Sequence, residues 1–193
     1  MEFEKKSIKS IIQGKLSNHT FKACRFNEKD FTETQFNNCV FDNCDLTNVN
    51  FSSACFDNCT FISCKFKNAN MFLAKFTNSK LMGVNFTEIN IQGIVFLKCD
   101  LSYSNFSHLT LNNMDFSDSS LINTDFSNCQ LKNSKFNNSN LTGTLFNFAN
   151  MTDGSVKGAK LEKTSFDNTI VRNLEMTITQ AAYYAKFHGV KID

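Results

Sequence analysis

The feature that most constrains this chain is an apolar side chain at every fifth position. In steps of five from Leu16 to Met176 there are 33 positions, held by 18 Phe, 9 Leu, 3 Met, 2 Val and 1 Ile. An α-helix spaces its apolar residues three and four apart, and a half-buried β-strand alternates apolar with polar residues. Neither element has a period of five. The pattern therefore predicts a continuous coil that turns a corner with each five-residue unit.

A second position of each unit, two residues before the large apolar one, holds a small or compact side chain. Cys24, Ala54, Ser79 and Thr164 are examples, whereas Lys29 departs from the rule. The other three positions are mostly Asn, Asp, Ser, Thr and Lys. Proline is absent and glycine is scarce, so we expect the corners to be built by side chains that hydrogen-bond to the local backbone. Stacked turns, spaced like neighbouring strands at about 4.8 Å, would then bury the core.

The units "CDLTN", "SNLTG" and "ANMTD", which begin at Cys44, Ser139 and Ala149, resemble the repeats of the pentapeptide repeat family. The resemblance covers residues 14–178. It implies an all-β fold, a right-handed quadrilateral β-helix with four units per turn, about eight coils and a length of roughly 40 Å, followed by a short C-terminal α-helix. Residues one such turn apart would then form one inward ladder of large side chains, namely Phe21, Phe41, Phe61, Leu81, Leu101, Leu121, Leu141 and Leu161.

Both ends depart from the repeat, which predicts three segments. Residues 1–13 form an N-terminal cap, residues 14–178 the β-helix, and residues 179–193 a C-terminal helix and dimerisation segment. In the first segment Phe3, Ile8, Ile11 and Ile12 would cover the first coil, because the end of a solenoid needs a cap.

The C-terminal stretch changes composition and favours a short helix. Thr179 is a candidate N-cap, and Gly189 stands where a helix would stop. The segment "QAAYYAKFHGVKI" is similar to the end of the gyrase-protecting branch of the family, the quinolone-resistance and microcin-immunity group, which implies a head-to-head homodimer. A monomeric cap is the alternative. The residues predicted for dimerisation are Ile178, Ala181, Tyr184, Ala185, Phe187, Val190 and Ile192.

Seven of the eight cysteines fall at the small inward position, and only Cys55 does not. We interpret the seven as core residues, since free cysteine behaves as a small buried hydrophobe. The histidines share no ligand spacing with the thiols, so no metal site is expected. A cytoplasmic setting would keep the thiols reduced.

No catalytic motif emerges, so we expect a non-enzymatic protein with no cofactor. The formal net charge is +2, without a polybasic run that would favour nucleic acid. No secretory signal and no apolar stretch of membrane-spanning length is evident, which predicts a cytoplasmic protein that does not bind a membrane.

Two functions remain open. Resemblance to the gyrase-protecting branch implies a DNA-like dimeric rod that binds DNA gyrase or topoisomerase IV and blunts fluoroquinolones or toxins. The alternative is a rigid interaction scaffold for another protein. Residues 14–178 balance 15 Lys plus Arg against 15 Asp plus Glu, which departs from an acidic mimic of DNA. The sequence has no regular row of Thr residues, which an ice- or carbohydrate-binding face of the coils would need. Four residues are candidates for a partner surface, namely Phe72, Leu73, Asp115 and Asp118.

Overall fold

The computed structural model of the chain describes residues 2–4 and 14–192. It confirms the all-β solenoid with parallel strands and one short C-terminal helix. The chain divides into two compact units, Met1–Leu101 and Ser102–Asp193, each with about four turns. The eight or so coils expected above are therefore divided between two compact units. A solenoid coil contacts only its neighbours, so a few coils already form a compact unit.

In the first unit, short parallel strands lie on two faces of each turn. The strands are β1 (Glu2–Glu4), β2 (Lys15–Ser17), β3 (Thr20–Lys22), β4 (Gln35–Asn37), β5 (Val40–Asp42), β6 (Cys55–Asp57), β7 (Thr60–Ile62), β8 (Lys75–Thr77) and β9 (Val95–Leu97). One sheet has the order β1-β3-β5-β7 and the other has the order β2-β4-β6-β8-β9. Partners in the register are separated by four repeat units, as in Phe21↔Phe41 and Phe36↔Phe56, so four units make one turn.

In the second unit, successive coils pair through isolated parallel bridges with the same register of four units. Asn105↔Asp125 and Ser155↔Glu175 lie near its two ends. The unit closes with the helix α1 (Ile178–Phe187). We call the four faces of the coils walls and assign each residue to a wall by this register.

The corners are made by residues in the left-handed backbone region. Every fifth residue from Asn18 to Asn173 has φ between +49° and +73°, with Glu88 the one exception in this described range. Asn tolerates this conformation better than other residues with a side chain, and it holds 14 of these corners. This explains how the chain turns with few glycines and no proline. At the exception, Phe86–Glu88 form a 3-10 turn capped by Asn85.

The core is a set of stacked aromatic columns. Phe36, Phe56 and Phe76 stack with ring centroids 4.8 and 4.5 Å apart and planes inclined by 5°. Columns on adjacent walls meet edge to face, as between Phe36 and Phe41 at 5.7 Å and 67°. Both arrangements are the favoured geometries of aromatic pairs. The eight residues of the predicted inward ladder are all buried, with at most 4% of each residue exposed.

The described part of the N-terminal segment lies on the first coil. Strand β1 pairs with β3, and Phe3 stacks on Phe21 at 5.2 Å and on His19 at 5.9 Å. Ile8, Ile11 and Ile12, also expected in this cap, lie outside the described residues. Within the described ranges, no helix is long and apolar enough to span a bilayer.

Candidate functional site

The C-terminal helix begins with a capping box. The Thr177 side chain accepts from the Gln180 N–H at 3.3 Å, and the Gln180 side chain accepts from the Thr177 N–H at 2.9 Å. The N-cap is therefore Thr177, and the expectation of Thr179 was wrong by two residues. The Thr-x-x-Gln spacing of a capping box is visible in the sequence and would have located the cap correctly.

Gln180 also anchors the helix to the last coil. Its Nε2 donates to the carbonyl oxygens of Val156 and Ala159, both at 2.7 Å, and only 7% of the residue is exposed. Buried carbonyl groups at the end of a stack need donors, because no further coil supplies them. One side chain thus caps the helix and satisfies the end of the solenoid.

The helix ends in a Schellman motif at Gly189. The Gly189 N–H donates to Lys186 O at 3.0 Å, and the Val190 N–H donates to Ala185 O at 2.9 Å. Gly189 has φ of +79°, which glycine adopts without strain. Val190–Ile192 follow as irregular backbone.

Two of the predicted dimerisation residues pack on their own chain. The rings of Tyr184 and Phe187 meet Phe166 edge to face, at 5.5 and 6.3 Å. Burial raises the pKa of the Tyr184 hydroxyl. Ala185 is half-buried. These side chains close the last coil.

The remaining four predicted dimerisation residues are exposed. Ile178 is 90% exposed, Val190 52% and Ile192 41%, and Ala181 is exposed beside them. Phe187 is also exposed, with 37% of its surface accessible to solvent. We call Ile178, Ala181, Phe187, Val190 and Ile192 the terminal apolar surface. Single exposed apolar residues are normal on a protein surface, whereas here several occur within one short terminal segment.

The predicted partner-surface residues are distributed over both units. Phe72 is half-buried and Leu73 51% exposed in the first unit, whereas Asp115 and Asp118 are exposed in the second unit. Asp115 has a local role, because its Oδ1 accepts from the Ser117 N–H at 2.9 Å.

Opposite charges are stacked along the walls. Arg25, Asp45 and Lys65 occupy paired positions on successive coils. Asp115 likewise pairs with Lys135 in the second unit. At these positions acids are therefore flanked by bases, in agreement with the balance of charge inferred from the sequence.

Three left-handed corners carry bulky exposed side chains. Leu73, Tyr103 and Phe148 have φ of +56°, +64° and +59° and are 51%, 59% and 59% exposed. Large side chains are disfavoured in this region, and such strain is often retained at functional positions. Sequence reasoning missed Tyr103, although counting in steps of five along the repeat assigns this residue to a corner.

The cysteines occupy the positions predicted for them. All eight are free; six are buried, Cys64 is half-buried and Cys55 is exposed. A hydrogen bond with Cys59 lowers the pKa of the stacked Cys39 thiol to about 7, whereas burial raises the pKa of Cys99 to about 11. The interaction between the stacked Cys44 and Cys64 thiols likewise lowers the pKa of Cys44 and raises that of Cys64.

Family comparisons agree with this architecture. A model described as pentapeptide repeat region matches residues 69–146, and a model of pentapeptide repeats matches eight copies in residues 129–168. This chain is a pentapeptide-repeat protein. A model described as the SV2A/B/C luminal domain also matches residues 5–86. No curated protein has a significantly similar sequence.

Solved structures of pentapeptide-repeat proteins share the fold. A trypsin-treated variant of QnrB1, described as a plasmid-mediated fluoroquinolone resistance protein, aligns with TM-score 0.67 and 18% identity over 100% of this chain and 99% of its own. Full-length QnrB1 aligns with TM-score 0.65 and 20% identity, over 91% and 90% of the two chains.

The comparison also includes HetL, a pentapeptide repeat protein involved in heterocyst differentiation regulation in the cyanobacterium Nostoc sp. strain PCC 7120. It aligns with TM-score 0.72 and 15% identity over 91% of this chain and 87% of its own. At these identities the likeness establishes the fold.

Proposed function

We propose that this repeat scaffold protein is non-enzymatic and binds a type II topoisomerase, DNA gyrase or topoisomerase IV, as a DNA-like homodimer, giving fluoroquinolone or toxin resistance. The observation that carries the proposal is the terminal apolar surface beside a closed last coil. Alignment with QnrB1 over the whole of this chain supports the same assignment.

The terminal apolar surface is the proposed dimer contact. Gln180, Tyr184 and Phe166 already close the core, so Ile178 and Val190 are not needed for that purpose. A second copy related by a two-fold axis would bring the same residues of both chains together. Burying an isoleucine side chain contributes about 2 kcal/mol.

The partner would be recognised through the walls. Since Arg25, Asp45 and Lys65, and likewise Asp115 and Lys135, alternate in charge on successive coils, we do not assign binding to an acidic row. The exposed corners Leu73 and Phe148, together with Phe72, Asp115 and Asp118, are the proposed contacts. Exposed aromatic residues such as Phe148 are enriched in protein interfaces relative to the rest of the surface.

A gyrase supercoiling assay with and without a fluoroquinolone tests the proposal. We expect the protein to restore supercoiling at drug concentrations that otherwise abolish it. The key variant is Ile178→Glu, because an acid in the first helical turn favours the helix while it disrupts an apolar contact. Ile170→Glu, at an isoleucine of the second unit that is 53% exposed, is the matched control.

Light scattering reports the oligomeric state of each protein. A dimer for the wild type and Ile170→Glu, a monomer for Ile178→Glu, and protection lost only in the monomer would support the proposal. A wild-type mass of one 21.9 kDa chain would overturn the dimer. A lack of any effect on gyrase or topoisomerase IV would overturn the topoisomerase assignment.

The second candidate is an interaction scaffold for a different protein. The balanced walls favour it, because a DNA-binding surface selects negative charge. Fold similarity to HetL is as consistent with this candidate as similarity to QnrB1 is with the first. Dimer formation without any effect on either topoisomerase is the result that would favour it.

A further inference from the structure

Three cysteines stand one above another on a single wall of the first unit. Cys24, Cys44 and Cys64 follow one another at intervals of one turn, and the backbone pairs in register beside them. The Asp45 N–H donates to Cys24 O at 2.9 Å, and the Lys65 N–H donates to Cys44 O at 3.0 Å. Their side chains therefore repeat at the spacing of neighbouring strands.

The three thiols have the same orientation. Sγ of Cys44 lies 3.3 Å from Phe21 O and 3.5 Å from Asp42 O. Sγ of Cys64 lies 3.3 Å and 3.5 Å from the equivalent oxygens one coil on, those of Phe41 and Ile62. Identical side-chain geometry on strands in register sets the two sulfur atoms about 4.8 Å apart.

This separation matches a metal ion held between two thiolates. A metal–thiolate bond is about 2.3 Å long, so two such bonds in a line span about 4.6 Å. Soft thiolates select Cu(I), zinc and iron–sulfur clusters, and of these zinc and the clusters need more ligands than two stacked thiolates supply. Tetrahedral zinc is a different case, since the described residues contain no group of three or more His, Cys, Asp or Glu able to hold a metal.

The upper end of this stack is open to solvent. Cys64 is half-buried and lines a cavity of about 310 Å³ with Lys65, Lys67 and Glu88. The opening has a structural cause. The Asn48 N–H donates to Lys67 O, whereas one coil later the Asn68 N–H donates to Glu88 O. The stretch of chain from Asn68 to Glu88 is therefore one residue longer than the stretch from Asn48 to Lys67.

The extra residue is taken up by the 3-10 turn Phe86–Glu88, and the series of bridges Arg25↔Asp45↔Lys65 is not continued to Asn85 in this described part of the wall. Lys65 and Lys67 also supply positive charge next to a bis-thiolate complex, which carries a net charge of −1. The other stacked pair, Cys39 and Cys59, has no more than 1% of either residue exposed.

We propose that Cys44 and Cys64 form a two-coordinate site for a soft, thiophilic metal ion, Cu(I) in the first instance, which enters through the cavity at Cys64. Binding replaces the two thiol protons, which pass to solvent. The site is independent of topoisomerase binding.

The test is a Cu(I) titration of the reduced full-length chain under nitrogen, with bathocuproine disulfonate as a coloured competitor and native mass spectrometry for stoichiometry. We expect one Cu(I) per chain. Cys64→Ser and Cys44→Ser should each lower the affinity by roughly 100-fold, because a single thiolate remains. Cys59→Ser and Cys99→Ser should leave it unchanged.

These substitutions suit the fold, because Ser79 and Ser139 fill equivalent inward slots and are buried. Circular dichroism checks each variant, and Cys64→Ala replaces any serine variant that fails to fold. Equal affinities of the wild type and the Cys64 variant would overturn the proposal. Loss of the ion in Cys59→Ser, or equally tight binding of Zn²⁺, would also overturn it.

Discussion

The exposed phenylalanine at the left-handed corner of residue 148 should destabilise the protein. Phe148 has φ of +59° and is 59% exposed. A left-handed conformation costs an L-residue with a Cβ roughly 1–2 kcal/mol, and Asn is one of the few residues that adopts it routinely. The same corner one coil before and after holds Asn128 and Asn168, with φ of +60° and +52°. Phe148→Asn should therefore stabilise the second unit.

The magnitude follows from three contributions. Relief of backbone strain adds about 1 kcal/mol. The new Asn can join a stack of side-chain amides like that of Asn18, Asn38 and Asn58, whose hydrogen bonds are 3.2 and 2.7 Å long; each added bond contributes about 0.5 kcal/mol. Losing the buried two-fifths or so of the ring costs about 1 kcal/mol.

The net gain is about 1 kcal/mol, which should raise Tm by about 2–4 °C. Thermal unfolding followed by circular dichroism measures it. Leu145→Asn is the matched control, because Leu145 is 38% exposed and forms ordinary bridges to Asp125 and Ser165. We expect the control to lose a few degrees or to stay unchanged. If both variants lost stability equally, strain at the corner would be too small to matter.

Two further predictions concern the last coil and the first unit. Gln180→Ala should lower the free energy of unfolding by about 2 kcal/mol and reduce the helical circular dichroism signal, because the Ala159 carbonyl loses its donor and the Val156 carbonyl keeps only the Ala159 N–H; an unchanged urea midpoint would contradict it. Hydrogen bonds from the Thr32 hydroxyl and N–H hold the pKa of Asp30 below its usual value. That stabilisation is present above the unfolded pKa of about 3.9 and is lost as pH falls through the lower folded pKa. Thr32→Val should raise the pKa of Asp30 in an NMR titration, and an unshifted carboxyl resonance would refute the assignment.

The five-residue period was sufficient to predict the solenoid, because one large and one small buried side chain per unit fit no other regular element. The period did not predict that the chain divides into two compact units after Leu101, since the apolar pattern continues through that residue unchanged. The 3-10 turn at Phe86–Glu88 was also hidden, because Phe86 keeps its place in the frame while the backbone around it changes.

The candidate surfaces were harder to predict than the fold. Placing the helix cap at Thr179 rested on residue type alone and missed the reciprocal hydrogen bonds of Thr177 and Gln180. The dimerisation residues were predicted as one set, but the sequence could not tell which of them contacted Phe166 and which faced solvent. Homodimerisation stays a prediction.

The register of four units per turn has an evolutionary consequence. Inserting one five-residue unit would keep every buried slot filled, yet it would move all later surface residues of that stack onto the next wall. An insertion of one whole coil would return each of them to its original wall. Duplication in whole coils therefore lengthens a recognition surface, whereas duplication of single units recombines the faces and creates new surfaces on an unchanged core.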